Sequence, residues 1–459
     1  MKIYNTQTRQ LEEFTPLEEK KANIYVCGPT VYDYIHVGNA RPLIVFDVLR
    51  RYLKFAEYDV KFVQNYTDID DKMIIRAKNE NTTVKDLADR FIVEFEKDAQ
   101  SLNVMPADVK PKATEHIGEI IKIIKTLEEK GYAYKSDDGV YFDTQAYEGY
   151  GKLSGRNMED MQAGARIKVN DSKKHPMDFA LWKLEKPGEP SWGSPWGKGR
   201  PGWHIECSVM SMKYLGDTVD IHGGGEDLIF PHHENEVAQS EAATGKEFVK
   251  YWMHNGHINI NNQKMSKSLG NFFTIRDIGE KFDLEILRFF MLSVHYRSPV
   301  NFSFELMQQS EAGLQRLYNA RDSWADMAQQ GKADADTKDA IATLYDGFKS
   351  AMDSDLNTAE AFGVIFEFVK KINTSLAENP NGANAFAAHE AMMKVADVLG
   401  LLYRETEMEI PSDVAELLKQ REDARKNKEW AKSDEIRDQI LALGYTVEDT
   451  RDGQKVKKA

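Results

Sequence analysis

Two short apolar segments lie on either side of an amphipathic helix near the start of the chain. Residues 23–27 and 60–66 have the aromatic and β-branched character of buried strands, and the first ends at a Gly28-Pro29 turn. Between them, apolar side chains recur at helical spacing over residues 43–53. A strand, a helix and a second strand in this order predict a parallel sheet, which binds ligands at the carboxyl ends of its strands.

The segment between the first predicted strand and the helix has the character of an anion-binding helix start. His36 and Asn39 are three residues apart, on one face of the first turn, with the small residue Gly38 between them. Free N–H groups and the positive end of the helix dipole make such a terminus an anion site. The same residues also fit an ordinary helix start at which Asn39 is a capping residue, so this stretch alone decides no function.

Residues 261–271 follow neither a helical nor a strand period. They carry two lysines three residues apart, Lys264 and Lys267, with a serine at Ser268 and asparagines on both sides. We expect an exposed, mobile loop that places two cations over a polyphosphate such as ATP. We call residues 261–271 the lysine loop.

Four separated residues have the chemistry of zinc ligands. Cys27 and Cys207 each lie where a predicted strand gives way to a loop or a helix, while His232 and Glu236 are four apart on one helix face that starts after Pro231. Two sulfurs, a nitrogen and an oxygen form a plausible zinc set. The alternative is four unrelated residues, with the thiols buried as small hydrophobes. Three further histidines compete as ligands: His204, His222 and His233.

Composition excludes several classes of protein. With 459 residues and two cysteines, the chain is not a small disulfide scaffold, and no apolar run approaches the ~20 residues of a membrane span. The N-terminal residues lack the apolar core of a secretion signal. We therefore expect a cytoplasmic protein with no membrane partner. A net charge of −14 argues against a general nucleic-acid coat, although it leaves room for a local basic surface.

Changes in composition along the chain predict its organisation. A helical pattern runs from 84 to 131 with a break at Pro106, and a strand is predicted at 139–143. Helical periodicity dominates 304–403, with polar breaks at 329–335 and 379–383, and predicts a bundle of about four helices. A charged linker, two short helices and one strand-like end follow, with Trp430 among basic residues. That ring suits stacking on a base, although packing in a small helical core explains it equally well. The predicted divisions are 1–109 (first half of the sheet domain), 110–200 (an insertion), 201–303 (second half, with the lysine loop), 304–403 (helical bundle) and 404–459 (linker and small C-terminal domain).

Two motifs and several longer stretches carry a resemblance to a known family. Residues 36–39 resemble the HIGH motif, with Asn39 in place of the last histidine, and residues 264–268 are the KMSKS motif of class I aminoacyl-tRNA synthetases. The chain resembles the cysteinyl-tRNA synthetase family in particular, over essentially its whole length. The stretches that carry this resemblance are 25–33, 65–72, 202–208, 220–225, 230–236 and 352–358.

The resemblance implies both a fold and an activity. The fold is α/β, with a Rossmann-like parallel-sheet catalytic domain and an insertion, followed by an α-helical bundle and a small C-terminal domain. The activity is ATP-dependent conversion of L-cysteine to cysteinyl-adenylate and its transfer to tRNA(Cys). One Zn²⁺ per subunit would select the substrate thiolate, Mg²⁺ would accompany ATP, and we expect a monomer.

Two other functions stay open on the sequence alone. One is a related ligase that joins activated cysteine to the amine of an amino sugar, and the other is a non-catalytic tRNA-binding paralogue. The region around Trp430 argues against the first, and the lysine loop with a full zinc set argues against the second.

By resemblance, the family's functional positions fall on seventeen residues of this chain. The expected catalytic residues are His36, Asn39, Lys264 and Lys267. ATP binding adds Gly38 and Ser268 to those four. The expected cysteine-binding residues are Gly28, Thr67, Trp203 and Asp227. The expected zinc ligands are Cys27, Cys207, His232 and Glu236, and the expected tRNA contacts are Arg425, Trp430 and Asp434.

Overall fold

The computed structural model describes residues 1–156, 172–261, 263–264, 272–405, 411–450 and 453–458. Contacts within the chain divide it into two compact units, Met1–Leu402 and Tyr403–Ala459. Within the described residues, no helix has both the length and the apolar character needed to cross a membrane. The finer domain divisions given above stay predictions.

The first unit contains both strands and helices. Its strands are β1 (Lys2–Asn5), β2 (Gln10–Glu13), β3 (Lys21–Val26), β4 (Asp59–Gln64), β5 (Ala133–Lys135), β6 (Gly139–Phe142), β7 (Phe179–Leu184), β8 (Gly199–Pro201), β9 (Val219–Gly225), β10 (Val249–Asn255), β11 (Ile258–Ile260), β12 (Gln263–Lys264) and β13 (Val300–Phe302). Its α-helices are α1 (Val37–Phe55), α2 (Asp71–Asn79), α3 (Val84–Ser101), α4 (Ile117–Glu129), α5 (Trp203–Leu215), α6 (Glu234–Thr244), α7 (Ile275–Gly279), α8 (Leu284–Leu292), α9 (Phe304–Met327), α10 (Ala335–Asp353), α11 (Thr358–Glu378) and α12 (Gly382–Leu399).

A four-stranded sheet with the order β10–β9–β3–β4 forms the centre of the first unit, and all its strand pairs are parallel. The predicted parallel sheet is therefore confirmed. Ile24 of β3 lies in register with Ile221 of β9 on one side and Phe62 of β4 on the other. The chain leaves β3 for β4 on one side and later returns on the other side, to β9. A crevice at the carboxyl ends of β3 and β9 follows from this reversal, and it is where such sheets bind ligands.

The inner strands are apolar because helices cover both faces of the sheet. Ile24, Tyr25 and Val26 of β3 are all buried, which is the continuous pattern of a parallel strand rather than the alternating pattern of a half-exposed one. Helix α1 buries residues around most of its circumference. One side packs on the sheet and the other on the helical bundle, and both sides belong to one hydrophobic cluster that reaches Val395 of α12.

An antiparallel sheet, β5–β6–β7–β8, is inserted between β4 and β9. The strand predicted at 139–143 is β6. The helical pattern predicted from 84 to 131 has a wider break than the single position Pro106, because α3 ends at Ser101 and α4 begins only at Ile117. Between them the backbone at 109–113 runs beside β4, with Gln64 N donating to Val109 O at 3.1 Å.

The start of the lysine loop differs from the expectation of no regular structure. Gln263–Lys264 form strand β12, which pairs antiparallel with β11. The pattern did not show this strand because its two residues are polar and are held by backbone pairing alone. Lys267 and Ser268 lie outside the described residues. On the far side of the loop, Val37 N donates to Phe273 O at 3.0 Å, which joins that end to the start of α1.

Helices α9 to α12 form the predicted bundle of four. The predicted breaks at 329–335 and 379–383 fall on the connections after α9 and α11 and extend one or two residues into the next helix. Trp324, Phe348 and Met392 are among its buried side chains. In the second unit, α13 (Ser412–Lys426) and α14 (Trp430–Ala442) precede a hairpin of β14 (Tyr445–Thr450) and β15 (Gly453–Lys458). The sequence predicted only one strand in this region. The basic segment Gly453–Lys458 forms a second strand, because Val456 pairs with Val447 and both pack on the small core.

Candidate active site

The side chains of His36 and Asn39 both accept backbone hydrogen bonds at the first turn of α1. His36 is the residue that caps the helix, and its Nδ1 accepts a hydrogen bond from Gly38 N at 3.1 Å. The Asn39 Oδ1 accepts from His36 N at 3.1 Å, so the interpretation of Asn39 as a capping residue holds for its oxygen. Only the Nδ2 group of Asn39 is then left to donate to a ligand.

A cavity of about 770 Å³ opens beside this helix start, at the carboxyl ends of β3 and β9. The structure brings all the predicted cysteine-binding residues to its wall, together with the residues of the helix start and three of the four metal candidates. These residues are Cys27, Gly28, His36, Gly38, Asn39, Thr67, Trp203, Cys207, Asp227 and His232. Lys264 lies in β12, and its side chain is outside the described part of the structure, as are Lys267 and Ser268.

The four predicted metal ligands form one cluster. The ligand atoms of Cys27, Cys207, His232 and Glu236 all lie within 4.8 Å of one another. His232 Nε2 and Glu236 Oε1 are 3.0 Å apart, as their four-residue spacing predicts. The helix predicted to start after Pro231 starts instead at Glu234, because a π-helical turn over Ile229–His233 precedes it.

A second set of possible ligands shares the same place. It keeps Cys27 and Glu236 and replaces the other two with His222 and His233, both of which the sequence left open as competitors. The side chains of His222 and His233 are fully buried, whereas Cys207 and His232 line the cavity with Cys27. A metal that meets a substrate in the cavity is therefore better placed on the first set. Supporting this, His204 Nδ1 lies 2.9 Å from His232 Nδ1 and so directs the other nitrogen of His232 toward the cluster.

Burial makes this cluster unfavourable for isolated anions. It raises the pKa of the Cys27 thiol and of the Glu236 carboxyl, and it lowers the pKa of His222 and His233. A hydrogen bond with Cys27 lowers the pKa of Cys207 to about 7. Among the described residues, Glu236 Oε2 is buried without a hydrogen bond, although it lies 3.4 Å from His222 Nε2. A cation at the centre of the cluster would stabilise the thiolates and give this oxygen a partner, so the residues fit a bound metal.

Asn65 is a site residue for which the sequence predicted no role. Its Oδ1 accepts from Gly28 N at 2.9 Å and lies 3.7 Å from Cys207 Sγ, while its Nδ2 lies 3.4 Å from Thr67 Oγ1. A Cβ at Gly28 would overlap the backbone oxygen of Asn65, so only glycine fits there. The available signal was position: Asn65 directly follows β4, at the ligand-binding edge of the sheet.

Trp203 and Asp227 form part of the cavity wall. The Trp203 ring stacks on the His232 ring at 4.4 Å between centroids and keeps 40% of its surface exposed. Asp227 lies in a short turn after β9, where a Cβ at Gly225 would clash with its Oδ1. An aromatic face and a carboxylate therefore flank the metal candidates.

Three family models match successive parts of the chain. The model of the tRNA synthetases class I (C) catalytic domain matches residues 13–312, the DALR domain matches 347–403, and the cysteinyl-tRNA ligase anticodon binding domain matches 407–456. The chain is 54% identical to the cysteine–tRNA ligase of Clostridioides difficile (strain 630), with 100% of both chains covered. The chain belongs to the cysteine–tRNA ligase family. Another member, from Caldicellulosiruptor saccharolyticus, is also 54% identical, again with 100% of both chains covered.

Solved structures support the fold of this family member. A Mycobacterium tuberculosis methionyl-tRNA synthetase in complex with methionyl-adenylate matches with a TM-score of 0.61 at 16% identity, covering 83% of this chain and 89% of that one. A ternary complex of Agrobacterium radiobacter K84 LeuRS matches with a TM-score of 0.63 at 11% identity, covering 84% and 85%. These matches confirm the predicted α/β class I fold.

The region that matches the anticodon-binding model of the family holds the three predicted tRNA contacts. Trp430 begins α14 with 57% of its surface exposed, and the Arg425 guanidinium lies 5.8 Å from its ring centroid. Asp434 is one turn further along the same helix and pairs with Arg437 at 3.2 Å. Arg425 also pairs with Asp449 at 3.0 Å. The exposed ring with a cation over it is a surface on which a base can stack.

Proposed function

We propose that this protein is a cysteine–tRNA ligase that activates L-cysteine with ATP and transfers the cysteinyl group to tRNA(Cys). One observation carries the proposal: two thiols and an imidazole line the cavity that the start of α1 also lines, and the Glu236 carboxylate completes their cluster. A thiol-selecting centre and a phosphate-binding helix start thus share one pocket. The cytoplasmic location and the monomeric state expected from the sequence belong to the same proposal.

The cysteine-selecting centre would hold one Zn²⁺ on Cys27, Cys207, His232 and Glu236. These donor types are the ones that zinc takes in proteins. When bound, zinc supplies a soft Lewis acid that accepts a thiolate far more readily than a hydroxyl, which separates cysteine from serine. A hydrophobic pocket alone discriminates poorly between amino acids of such similar shape.

Activation would begin with the carboxylate of cysteine attacking the α-phosphate of ATP. A carboxylate–phosphorus bond forms, the bond between the α- and β-phosphates breaks, and pyrophosphate leaves with the electron pair. His36, the Asn39 Nδ2 group and the positive end of the α1 dipole are placed to stabilise charge on the α-phosphate. Lys264 and Lys267, with Ser268, would contact the phosphates from the lysine loop, and Mg²⁺ would accompany ATP.

The other cavity residues would hold the amino acid itself. The Asp227 carboxylate suits the ammonium group of cysteine, and the buried Thr67 offers a hydroxyl beside Asn65. Trp203 would limit the length of the bound side chain, since its ring covers His232. Gly28 would form part of the wall against which the amino acid lies, since it lines the cavity.

The second unit would recognise the tRNA. Stacking on Trp430, with Arg425 and Asp434 contacting polar groups, would read single-stranded bases. Because the net charge is −14, phosphate contacts must come from local basic side chains, and the affinity for tRNA should fall as salt rises.

The two alternatives have less support. A ligase that acts on an amino-sugar amine has no use for an anticodon-binding region, whereas residues 407–456 match such a model. A non-catalytic paralogue has no need for a complete pocket, whereas three of the four predicted ligands and the helix start line one cavity.

Cysteine-dependent ATP–pyrophosphate exchange tests the proposal. We expect exchange with cysteine, a far lower rate with serine, loss of exchange after zinc is removed by a chelator, and recovery when zinc is restored. Addition of tRNA(Cys) should then give charged tRNA. Full exchange in verified zinc-free protein would overturn the metal assignment, and exchange without any charging of tRNA would favour the amino-sugar ligase.

A further inference from the structure

A continuous chain of hydrogen bonds leads from Cys27 to the segment that follows β1. His233 Nε2 lies 3.3 Å from Cys27 Sγ, and His233 Nδ1 lies 2.8 Å from His254 Nε2. His254 Nδ1 in turn lies 2.8 Å from Thr6 Oγ1. Both imidazoles use both of their nitrogens, so the proton positions on one ring constrain those on the other.

The direction of the chain follows from its chemistry. A cysteine that ligates a metal is a thiolate and can only accept hydrogen bonds, so His233 Nε2 must be the donor to Cys27. A neutral imidazole carries one N–H, so His233 Nδ1 accepts from His254 Nε2. By the same rule His254 Nδ1 accepts, and the donor to it is the Thr6 hydroxyl. Burial lowers the pKa of His254 to about 3, which keeps this ring neutral at pH 7.

We propose that Thr6 and His254 are positioning residues for the metal site. The Thr6 hydroxyl donates to His254 Nδ1 and thereby stabilises the tautomers that the Cys27 thiolate requires, in which His233 presents an N–H to the thiolate. This inference rests on the proposed zinc site. It assigns a role in metal binding to a residue of the N-terminal segment, which follows a strand outside the central sheet.

The backbone holds Thr6 in place for this role. Its N–H donates to Trp252 O at 2.9 Å, and the neighbouring Asn5 Nδ2 donates to Lys250 O at 2.9 Å. The segment is thus attached to β10, which also carries His254. A change at the Thr6 side chain should therefore leave its position unchanged.

His222 also contacts Cys27, but only one of its ring nitrogens has a partner in the described part of the chain. Its Nε2 lies 3.4 Å from Cys27 Sγ, close to the distance from His233. Its Nδ1 is buried, and among the described residues it makes no hydrogen bond. The Cys27 thiolate and Glu236 Oε2, 3.4 Å from His222 Nε2, favour a proton on that nitrogen as well, but no second hydrogen bond from a described residue supports the His222 ring. His233 differs because a hydrogen bond at its Nδ1 holds it from the other side.

Thr6→Val and Thr6→Ser form a matched pair for the test. Valine keeps the shape and removes the hydroxyl, whereas serine keeps the hydroxyl. In the full-length protein we expect Thr6→Val to weaken zinc binding by roughly 10–100-fold in chelator competition, the range for loss of a group that orients a metal ligand. Thr6→Ser should keep the wild-type affinity. In ¹⁵N spectra of histidine-labelled, zinc-loaded protein, His254 should be protonated at Nε2 in the wild type and a mixture of tautomers in Thr6→Val.

The outcomes separate this inference from the zinc site itself. Wild-type protein that does not retain zinc would overturn both. Wild-type protein that retains zinc, with equal affinities for Thr6→Val and Thr6→Ser, would overturn only the role of the Thr6 hydroxyl. The unfolding temperature of each metal-free variant is measured alongside. A fall for Thr6→Val large enough to account for the lost affinity would assign Thr6 a structural role and overturn the positioning role.

Discussion

Asp47 on α1 and Arg288 on α8 form an ion pair of 2.5 Å between two side chains that are almost completely shielded from solvent. The Arg288 Nε also donates to Leu399 O at the end of α12, at 2.7 Å. The second carboxylate oxygen of Asp47 accepts from Met105 N at 2.8 Å. This pair therefore ties the helix that begins at the active site to the helical bundle.

We expect Arg288→Met to lower the free energy of unfolding of the first unit by about 2–3 kcal/mol, because it removes one of the two cations that pair with the buried Asp47 carboxylate. The loss should stay below that of a carboxylate left with no cation, since Arg51 Nε remains 2.8 Å from Asp47 Oδ2. Urea unfolding followed by tryptophan fluorescence measures the change. Lys85→Met is the matched control: it breaks an ion pair with Asp89 in which the lysine is 82% exposed, and it should cost about 1 kcal/mol or less.

A double substitution separates the cost of leaving one charge buried and unpaired from the cost of altered side-chain packing. Asp47→Leu combined with Arg288→Met removes both charges and should destabilise less than Arg288→Met alone. A double variant that is as unstable as the sum of its single variants would show that the two side chains act independently, against the geometry described above.

Much of the fold was predictable because it follows local patterns. The continuous apolar runs of β3 and β4 and the helical period of α1 predicted the parallel sheet. The helical period of residues 304–403 and its polar breaks predicted the bundle. Strand pairings that depend on the backbone alone left no such pattern. The hairpin of β1 and β2 is one case, since Gln10–Glu13 is mostly exposed and polar. Strand β12 is another.

The residues of the candidate site also divide into those that local sequence patterns predict and those that they do not. His232 and Glu236 are four residues apart in the sequence, and Cys27 lies at the end of a predicted strand. These three metal candidates could therefore be predicted from the sequence. Contacts between distant residues could not. Thr6 and His254, 248 positions apart, meet only because β1 packs beside β10. Nothing in either local sequence predicts that pairing.

Asn39→Asp should separate the capping role of Asn39 from its role toward phosphate. Aspartate keeps the oxygen that accepts from His36 N, and a negative charge suits a helix start, so stability should be unchanged or slightly higher. It also replaces the only donor of this side chain with a charge that repels ATP. We expect the rate of pyrophosphate exchange to fall roughly 100-fold, the scale for loss of one donor to a transition state.

Asn39→Ala is the control for that substitution. It loses the cap and the donor together, so stability should fall by about 0.3–1.5 kcal/mol along with the exchange rate. If Asn39→Asp exchanged pyrophosphate at the wild-type rate, Asn39 would be a capping residue only.

Trp430→Ala should weaken tRNA charging and leave amino-acid activation intact. Stacking of one base on an aromatic ring contributes roughly 1–3 kcal/mol, so we expect KM for tRNA(Cys) to rise about 10-fold with little change in tRNA-free pyrophosphate exchange. Leu441→Ala is the control, since Leu441 is a 50% exposed apolar residue on the same helix. An equal loss of both reactions in Trp430→Ala would contradict this separation of roles.

Cys207→Ser and His222→Gln distinguish the two overlapping sets of metal ligands. Both residues lie near Cys27 and Glu236, and each belongs to only one set. If the metal lies on the set that faces the cavity, Cys207→Ser should remove zinc and cysteine-dependent pyrophosphate exchange together, since a serine hydroxyl is a poor replacement for a thiolate. His222→Gln should keep stoichiometric zinc, measured by atomic absorption on the purified protein.

Cobalt substitution gives the same comparison a direct readout. Thiolate-to-metal absorption should be lost in Cys207→Ser together with the metal and should be unchanged in His222→Gln. The opposite pattern, with cobalt and zinc lost in His222→Gln and retained in Cys207→Ser, would place the metal on the fully buried set. The cavity would then lack the centre that selects cysteine, because His222 and His233 do not line it.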